Sequence, residues 1–186
     1  DKGDLDYRLA DKVIQSYDID VGGEEGIRAV MMKAQDQIEN VQYVKEKKLM
    51  QEFLYNLSNE NGLIAYGEKE VRKALNMGAV DTLILSEALK MYRVTLECEQ
   101  CGFTAESTLK SKQFEEFEDK VDDKNCPECK SSLLNITKKE DIVEELGRLA
   151  DSMSSKIEII SDETEEGEML ISTFGGIAAI LRYRIA

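Results

Sequence analysis

The four cysteines of this chain form two short pairs whose spacing suits a metal ion. Cys98 and Cys101 make one C-x-x-C pair, and Cys126 and Cys129 make the other. Each pair places two thiolates on one tight turn, and two such turns supply the four ligands of a tetrahedral zinc ion. We therefore predict one structural Zn²⁺ per chain, bound by these four residues. Because four thiolates fill the tetrahedron, no position stays open for a substrate or an activated water.

Two other uses of the cysteines stay open on the sequence alone. Two disulfide bonds would need an oxidising compartment, and no secretion signal opens the chain. A redox-active C-x-x-C pair is the third alternative, although such motifs usually stand alone rather than in two turns. The gap between the pairs is somewhat longer than in most four-cysteine zinc sites, but it is short enough for the chain to fold back as a ribbon.

The composition excludes several classes of function. The chain contains no histidine, which removes Ser-His-Asp and Cys-His catalysis and the histidine-containing zinc motifs. The formal net charge of −14 argues against a surface built mainly to bind nucleic acid. No apolar run reaches the length of a membrane span. The first residue is Asp rather than Met, which we interpret as the start of a fragment or of a processed product.

The segment that must position the cysteines is 97–135, which we predict to be an inserted minidomain. It contains all four cysteines, the only proline and few large aliphatic residues. So few apolar side chains cannot stabilise a fold of their own, and metal binding would supply the missing free energy.

Outside this segment, helix and strand patterns alternate, which predicts a compact layered α/β domain with a mixed sheet. The predicted strands are 63–66, 80–85, 91–96, 155–161 and 177–185. The predicted helices are 4–17, 24–34, 44–58, 68–77, 137–153 and 162–174. The polar stretch 35–40 separates two of these helices. Thr137 with Glu140, and Asp162 with Glu165, have the spacing of capping boxes that open the last two.

Three stretches resemble one known family. Tyr66–Glu87 reads YGEKEVRKALNMGAVDTLILSE, Ile19–Ile27 reads IDVGGEEGI, and Glu166–Arg184 reads EGEMLISTFGGIAAILRYR. Taken in chain order, they resemble the C-terminal domain of archaeal and eukaryotic class 1 peptide chain release factors, a domain also found in the related protein Pelota. The resemblance implies that 1–18 ends a preceding middle domain and that 19–186 is the C-terminal α/β domain.

The family resemblance also implies a function and partners. It implies translation termination in the cytoplasm, on the ribosome, with this domain docking a translational GTPase. That partner is release factor 3 in eukaryotes or an elongation factor 1-alpha-like protein in archaea, and an ABC-type recycling ATPase is a further partner. For the docking contacts we predict Ile27, Phe174 and Ile177, with packing in the core as the alternative for each.

Some features of the family are missing from this chain. Release factors hydrolyse peptidyl-tRNA with a Gly-Gly-Gln loop and read stop codons with motifs such as Asn-Ile-Lys-Ser, and neither motif occurs here. We therefore expect no hydrolysis or decoding by this chain alone. A Pelota-like role in ribosome rescue is one alternative, although Pelota proteins generally lack the cysteine insert that many archaeal release factors carry. A free-standing zinc-ribbon adaptor for nucleic acid is the other alternative.

Overall fold

The computed structural model describes residues 16–59, 62–121 and 124–185, without the side chains at 36, 38 and 40. Most of the predicted helix 4–17 therefore lies outside the described residues. The described chain forms α1 (Gly23–Ser58), β1 (Ile64–Tyr66), α2 (Glu68–Asn76), β2 (Val80–Ser86), β3 (Met91–Cys98), β4 (Thr104–Lys110), α3 (Ser111–Glu118), β5 (Leu134–Asp141), α4 (Ile142–Ser152), β6 (Lys156–Ile160), α5 (Glu165–Phe174) and β7 (Ile177–Leu181). Within it, no helix is long and apolar enough to cross a membrane.

The chain divides into two compact units, one ending at Lys45 and the other beginning at Glu46. The boundary falls inside α1. The second unit contains both sheets.

The larger sheet of the second unit has four strands in the order β1-β7-β2-β6. Strand β2 runs parallel to β6 and antiparallel to β7, and β1 pairs antiparallel with β7. The predicted mixed sheet is therefore confirmed. β2 occupies an inner position, which explains its nearly continuous apolar sequence.

Helices cover both faces of this sheet. On one face, Leu83 and Leu85 belong to a core shared with α2 and α4. On the opposite face, Ile84 and Ala178 belong to a core shared with α5 and with the 46–58 part of α1. Successive residues of a strand point to opposite faces, so a strand between two helical layers needs apolar residues at every position. The result is the layered α/β arrangement that the sequence predicts.

The smaller sheet has three antiparallel strands in the order β4-β3-β5. The aromatic ring of Phe114, which is buried in α3, meets the ring of Tyr92 edge-on at 5.6 Å between centroids. Lys139 of β5 places its Nζ 3.8 Å from the Phe114 ring centre, a favourable cation–π distance. The predicted insert 97–135 covers β4 and α3, whereas the sheet spans 91–141 because the flanking strands β3 and β5 pair with each other.

The predicted break at 35–40 is wrong, because α1 is one continuous helix of 36 residues. The stretch is polar, but it contains neither Gly nor Pro, and only those residues strongly disfavour a helix interior. Gln35 also donates a side-chain hydrogen bond to Glu39 at 3.0 Å, the i,i+4 spacing that supports a helix.

The predicted helix start at Thr137 and Glu140 is also wrong, because both residues belong to β5. The helix begins at Ile142, where the Asp141 carboxylate accepts a hydrogen bond from the Val143 amide at 2.7 Å. A capping signature describes only local preference, and here the pairing of β5 with β3 along its length outweighs it.

The capping residue of α5 is Thr164 rather than the predicted Asp162. The Thr164 hydroxyl accepts a hydrogen bond from the Gly167 amide at 3.1 Å. A Cβ at Gly167 would lie 1.9 Å from the Ser161 carbonyl oxygen, so the chain before the helix folds closely over this glycine. Asp162 lies in that turn, ahead of the capping position.

Candidate metal centre and docking surface

The first cysteine turn follows directly from β3. Cys98 is the last residue of that strand, and Cys101 lies in the turn after it. The Cys98 amide donates to the Phe103 carbonyl at 2.9 Å, and the Gly102 amide donates to the Cys98 carbonyl at 2.8 Å. Gly102 has φ of 71°, a conformation that glycine adopts at little cost. Gly102 therefore closes this turn.

The second cysteine turn repeats the same hydrogen-bond pattern. The Cys126 amide donates to the Ser131 carbonyl at 2.7 Å, and the Lys130 amide donates to the Cys126 carbonyl at 2.9 Å. Lys130 has φ of 63°, the position equivalent to that of Gly102. A non-glycine residue with positive φ is uncommon and carries a small conformational cost. This cost arises in the turn that brings Cys126 and Cys129 together.

The two turns bring all four thiols together. The Cys98 and Cys129 sulfurs lie 3.6 Å apart, the Cys101 and Cys126 sulfurs lie 3.7 Å apart, and all four lie within 4.8 Å of one another. Four sulfurs placed tetrahedrally at about 2.3 Å from a zinc ion lie about 3.8 Å from one another. The donor set therefore fits a tetrahedral thiolate-bound metal. No two sulfurs are joined, so the disulfide alternative does not describe this structure.

The thiols differ in acidity. A hydrogen bond from the Phe103 amide lowers the pKa of Cys101, but burial and the neighbouring thiols outweigh it and raise that pKa to about 12. Burial raises the pKa of Cys126, but the Cys129 and Glu128 amides and two neighbouring thiols outweigh it and lower that pKa to about 7. A metal ion would bind the deprotonated forms and displace the remaining protons.

A small apolar core surrounds the thiols. Cys98 and Cys126 are fully buried, and with Leu96, Val121 and Leu134 they form a cluster of their own. The rings of Phe103 and Phe117 and the Ile136 side chain pack against it. This core is separate from the two cores of the larger sheet. Exclusion of water from the buried sulfurs would strengthen their hold on a cation.

The first unit presents an apolar patch formed by residues 19–31. Ile19, Val21, Ile27 and Met31 are 37%, 46%, 63% and 65% exposed. Their side chains, with Val30 and three glycines, line a shallow depression of about 490 Å³, and none of the described residues that line it is charged. A Cβ at Gly26 would lie 2.3 Å from the Val21 carbonyl oxygen, so a glycine there lets the 19–22 segment fold back against α1.

The three predicted docking residues differ in their exposure to solvent. Ile27 is exposed, as a contact residue must be. Phe174 is 7% exposed and Ile177 is 1% exposed. Phe174 packs edge-on against Phe53 at 5.0 Å between ring centres, and Ile177 belongs to the core between the larger sheet, α2 and α4. For these two residues the structure corresponds to the alternative considered from the sequence, which is packing in the core.

A cluster of ion pairs was not predicted from the sequence. Glu68 and Arg72 of α2, Arg93 of β3 and Glu145 of α4 pair with one another. The i,i+4 spacing of Glu68 and Arg72 was the only local signal. The other two members come from distant parts of the chain and become neighbours only through the fold.

The comparisons with known proteins agree with the resemblance seen in the sequence. The family model described as eRF1 domain 3 matches residues 43–185. The chain belongs to the eRF1 domain 3 family. As a member of that family it is the third, C-terminal type of release-factor domain and not the domain that carries the Gly-Gly-Gln loop.

Relatives of this eRF1 domain 3 chain are archaeal release factors. It is 42% identical over 181 residues to peptide chain release factor subunit 1 of Thermococcus onnurineus, covering 97% of this chain and 43% of that protein. It is 43% identical over 185 residues to the protein of the same name from Methanobrevibacter smithii, covering 99% of this chain and 44% of that protein. The chain therefore spans less than half the length of these relatives.

Solved structures show the same relationship for the eRF1 domain 3 fold. The C-terminal domain of a peptide chain release factor from Methanosarcina mazei superposes with a TM-score of 0.72 at 34% identity, over 87% of this chain and 96% of that one. A model of ribosome-bound archaeal Pelota and ABCE1 superposes less closely, with a TM-score of 0.51 at 27% identity over 91% of this chain and 35% of that one.

Proposed function

We propose that this chain is the docking domain of an archaeal-type class 1 release factor and acts in translation termination. The observation that carries the proposal is the similarity to release factor subunit 1 proteins over nearly the whole chain. The likeness to the release-factor domain of Methanosarcina mazei, at a TM-score of 0.72 and 34% identity, agrees with it. These comparisons favour termination over the Pelota-like alternative.

The partner that we propose is a translational GTPase, of the elongation factor 1-alpha-like type or release factor 3. The apolar patch of residues 19–31 supports this, because Ile27 and Met31 are well exposed on it and the described residues that line its depression carry no charge. Contiguous exposed apolar surface on a soluble domain is typical of a protein interface. The ribosome and an ABC-type ATPase are further proposed partners of the whole protein, the latter because an archaeal Pelota structure of this fold includes ABCE1.

Replacing Ile27 with Asp tests the GTPase proposal. The substitution puts a charge into the proposed interface, and we expect it to weaken binding of a recombinant archaeal elongation factor 1-alpha-like GTPase by about tenfold or more. An acidic residue near the N-terminal end of α1 is compatible with the helix dipole, so the melting temperature should stay the same. Titration calorimetry with the GTP-bound partner measures the affinity.

Met32→Asp is the matched control for this experiment. Met32 is 80% exposed on the same helix and does not line the depression formed by residues 19–31. We expect this variant to bind the GTPase as the unchanged chain does. Docking at this patch would be contradicted if the folded Ile27→Asp variant bound the GTPase as tightly as the unchanged chain does. It would also be contradicted if both variants lost the same amount of affinity for the GTPase.

We also propose that Cys98, Cys101, Cys126 and Cys129 hold one structural zinc ion. The sulfur separations and the paired turn geometry support this assignment. Metal analysis of protein purified without chelator should find one zinc per chain, with four thiols that do not react with a thiol reagent until the metal is removed. Zinc-free protein with four reactive thiols would refute the proposal.

A further inference from the structure

A cleft of about 470 Å³ lies in the second unit, where the smaller sheet meets the C-terminal end of α5. It is formed by the turn between β2 and β3, the junction of β4 with α3, and the end of α5. The lining residues are Ala88, Leu89, Lys90, Met91, Lys110, Ser111, Lys112, Gln113, Ile171 and Gly175. None of the surfaces described above includes this cleft.

The apolar part of the cleft is built by Leu89, Met91 and Ile171. Leu89 is almost buried, and the other two are partly exposed. A Cβ at Gly176 would lie 3.0 Å from both the Leu89 and the Ile171 Cδ1 atoms. A larger residue at 176 would push these side chains apart, so the glycine allows them to pack into one apolar surface. An apolar side chain of a ligand could be buried there.

The charged part of the cleft is entirely basic. Lys90, Lys110 and Lys112 are exposed, and none of the lining residues in the described part of the chain is acidic. Within the described residues, no ion pair is found for any of the three lysines. This is unusual in a chain with 38 acidic and 24 basic residues. Three unpaired cations at one cleft make a local positive field on an otherwise negative molecule.

The backbone holds these lysines in place. Lys110 pairs with Met91 in the β3–β4 register, and the Ser111 amide donates to the Lys90 carbonyl at 3.1 Å. The N-terminus of α3 adds a partial positive charge beside the lysines, and the C-terminus of α5 at Gly175 contributes a partial charge of opposite sign. Each of these is about half a unit, so the three full charges of the lysines dominate.

We propose that this cleft binds an acidic peptide segment of a protein partner through one apolar anchor and flanking carboxylates. The apolar surface would receive the anchor, and the lysine ammonium groups would pair with the carboxylates. Single-stranded nucleic acid fits the cleft less well, because its bases stack on aromatic side chains and the lining contains none. The site is distinct from the apolar patch of residues 19–31 and does not depend on the proposed GTPase contact.

A selection from a random peptide library displayed on phage, carried out on the intact chain, tests the proposal. We expect enrichment of sequences that combine Asp or Glu with Leu, Ile, Met or Phe. A fluorescein-labelled peptide of the enriched sequence should bind in an anisotropy titration, with an affinity that falls as salt is added.

Variants of the cleft then locate the binding site. The double substitution Lys90→Glu with Lys112→Glu should lower the affinity of the chain for the labelled peptide by about tenfold or more. Ile171→Ser should also lower this affinity, but it should leave the salt dependence of binding unchanged. The matched control is Lys69→Glu with Lys120→Glu, which changes the net charge equally at two exposed lysines outside the lining. The control should bind as the unchanged chain does, and thermal melts verify that every variant is folded.

Several outcomes would overturn the proposal. One is a selection that yields no acidic sequences, and another is a peptide whose affinity is the same in the folded cleft and control variants. Binding of an oligouridine RNA that is lost in the Lys90/Lys112 variant, with no peptide binding, would assign the cleft to phosphate instead. Ile27→Asp should leave peptide binding unchanged, so failure of this proposal and failure of the GTPase proposal can be told apart.

Discussion

Glu145 lies between two arginines that come from different parts of the chain. Arg72 of α2 donates two hydrogen bonds to its carboxylate, at 2.7 and 2.8 Å, and the Nε of Arg93 of β3 lies 3.5 Å from it. Arg72 and Arg93 also both pair with Glu68. Two-pronged pairing of Arg with a carboxylate is the stronger form of this interaction. The four residues join two helices that pack on the larger sheet, α2 and α4, to strand β3 of the smaller sheet.

The network changes the acidity of Glu145. Burial raises the pKa of this carboxyl group, but the hydrogen bonds and charge of Arg72, followed by those of Arg93, outweigh it and lower the pKa below its ordinary value. A carboxylate with a lowered pKa in the folded state stabilises the fold above its unfolded pKa. That stability is lost as the pH falls through the folded pKa.

Glu145→Gln should therefore destabilise the chain at neutral pH and matter little in acid. We expect the free energy of unfolding at pH 7 to fall by about 1–2 kcal/mol, since the site is partly open to solvent that screens its charges. The difference from the unchanged chain should shrink as the pH falls from 7 through the lowered folded-state pKa of Glu145, where this carboxylate becomes protonated. Urea unfolding followed by circular dichroism over this pH range measures both effects.

Asp81→Asn serves as the control for the Glu145 variant. Asp81 pairs with Lys156 at 3.7 Å, with the two side chains 44% and 72% exposed. Exposed pairs of this kind contribute about 0–1 kcal/mol to stability. Asp81→Asn should therefore lower the free energy of unfolding by less than Glu145→Gln does, and this effect should change little with pH. An equal pH dependence in both variants would show that the Arg72–Glu145 pair has no special role.

Among the elements, α2 shows how one glycine ends a helix. Gly78 has φ of 66°, its amide donates to the Leu75 carbonyl at 2.8 Å, and the Ala79 amide donates to the Ala74 carbonyl at 3.0 Å. These two bonds are the Schellman arrangement, which needs a left-handed residue at this position. β2 can begin at Val80 because the helix stops sharply here.

A pair of glycine substitutions tests the difference between a helix end and a helix interior. Gly78→Ala should destabilise the chain by about 1 kcal/mol, because alanine is strained at positive φ even though nothing lies within 4 Å of the new Cβ. Gly147→Ala inside α4 should stabilise it by about 0.5–1 kcal/mol, since its Cβ would meet only the Ile157 Cδ1 atom at 3.9 Å. Chemical denaturation measures both, and changes of the same sign would contradict the backbone explanation.

At the scale of the whole molecule, the second unit contains a large core and a small one. The layers of the larger sheet bury many aliphatic side chains on both faces. Among the described residues, the core around the cysteines contains only Leu96, Val121 and Leu134 besides the two buried thiols, with a few partly buried neighbours. A core this small supplies little stability alone. The smaller sheet should therefore depend on the zinc ion proposed above far more than the larger sheet does.

Removal of the metal should consequently loosen one part of the molecule only. With zinc chelated under reducing conditions, we expect amide hydrogen exchange to rise strongly in 97–135 and to change little in β2 and β7, whose hydrogen bonds lie in the larger core. Hydrogen exchange with mass spectrometry of the zinc-bound and chelated protein measures this. Unchanged protection of 97–135 after verified zinc loss would show that the segment folds without metal.

Local features of the sequence were sufficient to predict much of the site and the order of elements. The spacing of Cys98, Cys101, Cys126 and Cys129 predicted that four thiols would meet, and the structure confirms this. The alternation of helix and strand patterns predicted the mixed sheet between helices. These predictions hold because ligand spacing, turn glycines and hydrophobic periodicity act over a few residues.

The features that the sequence did not reveal depend on contacts between distant residues. Thr137 and Glu140 have the local spacing of a helix start, but pairing with β3 makes them part of a strand. Phe174 and Ile177 lie in a segment that suggested a docking surface, but burial beneath neighbouring layers makes them core. The ion-pair network and the basic cleft likewise need α2, α4, α5 and the smaller sheet to be assembled first. Such contacts arise from the tertiary packing, which overrides local preference wherever long-range pairing buries more surface than the local alternative.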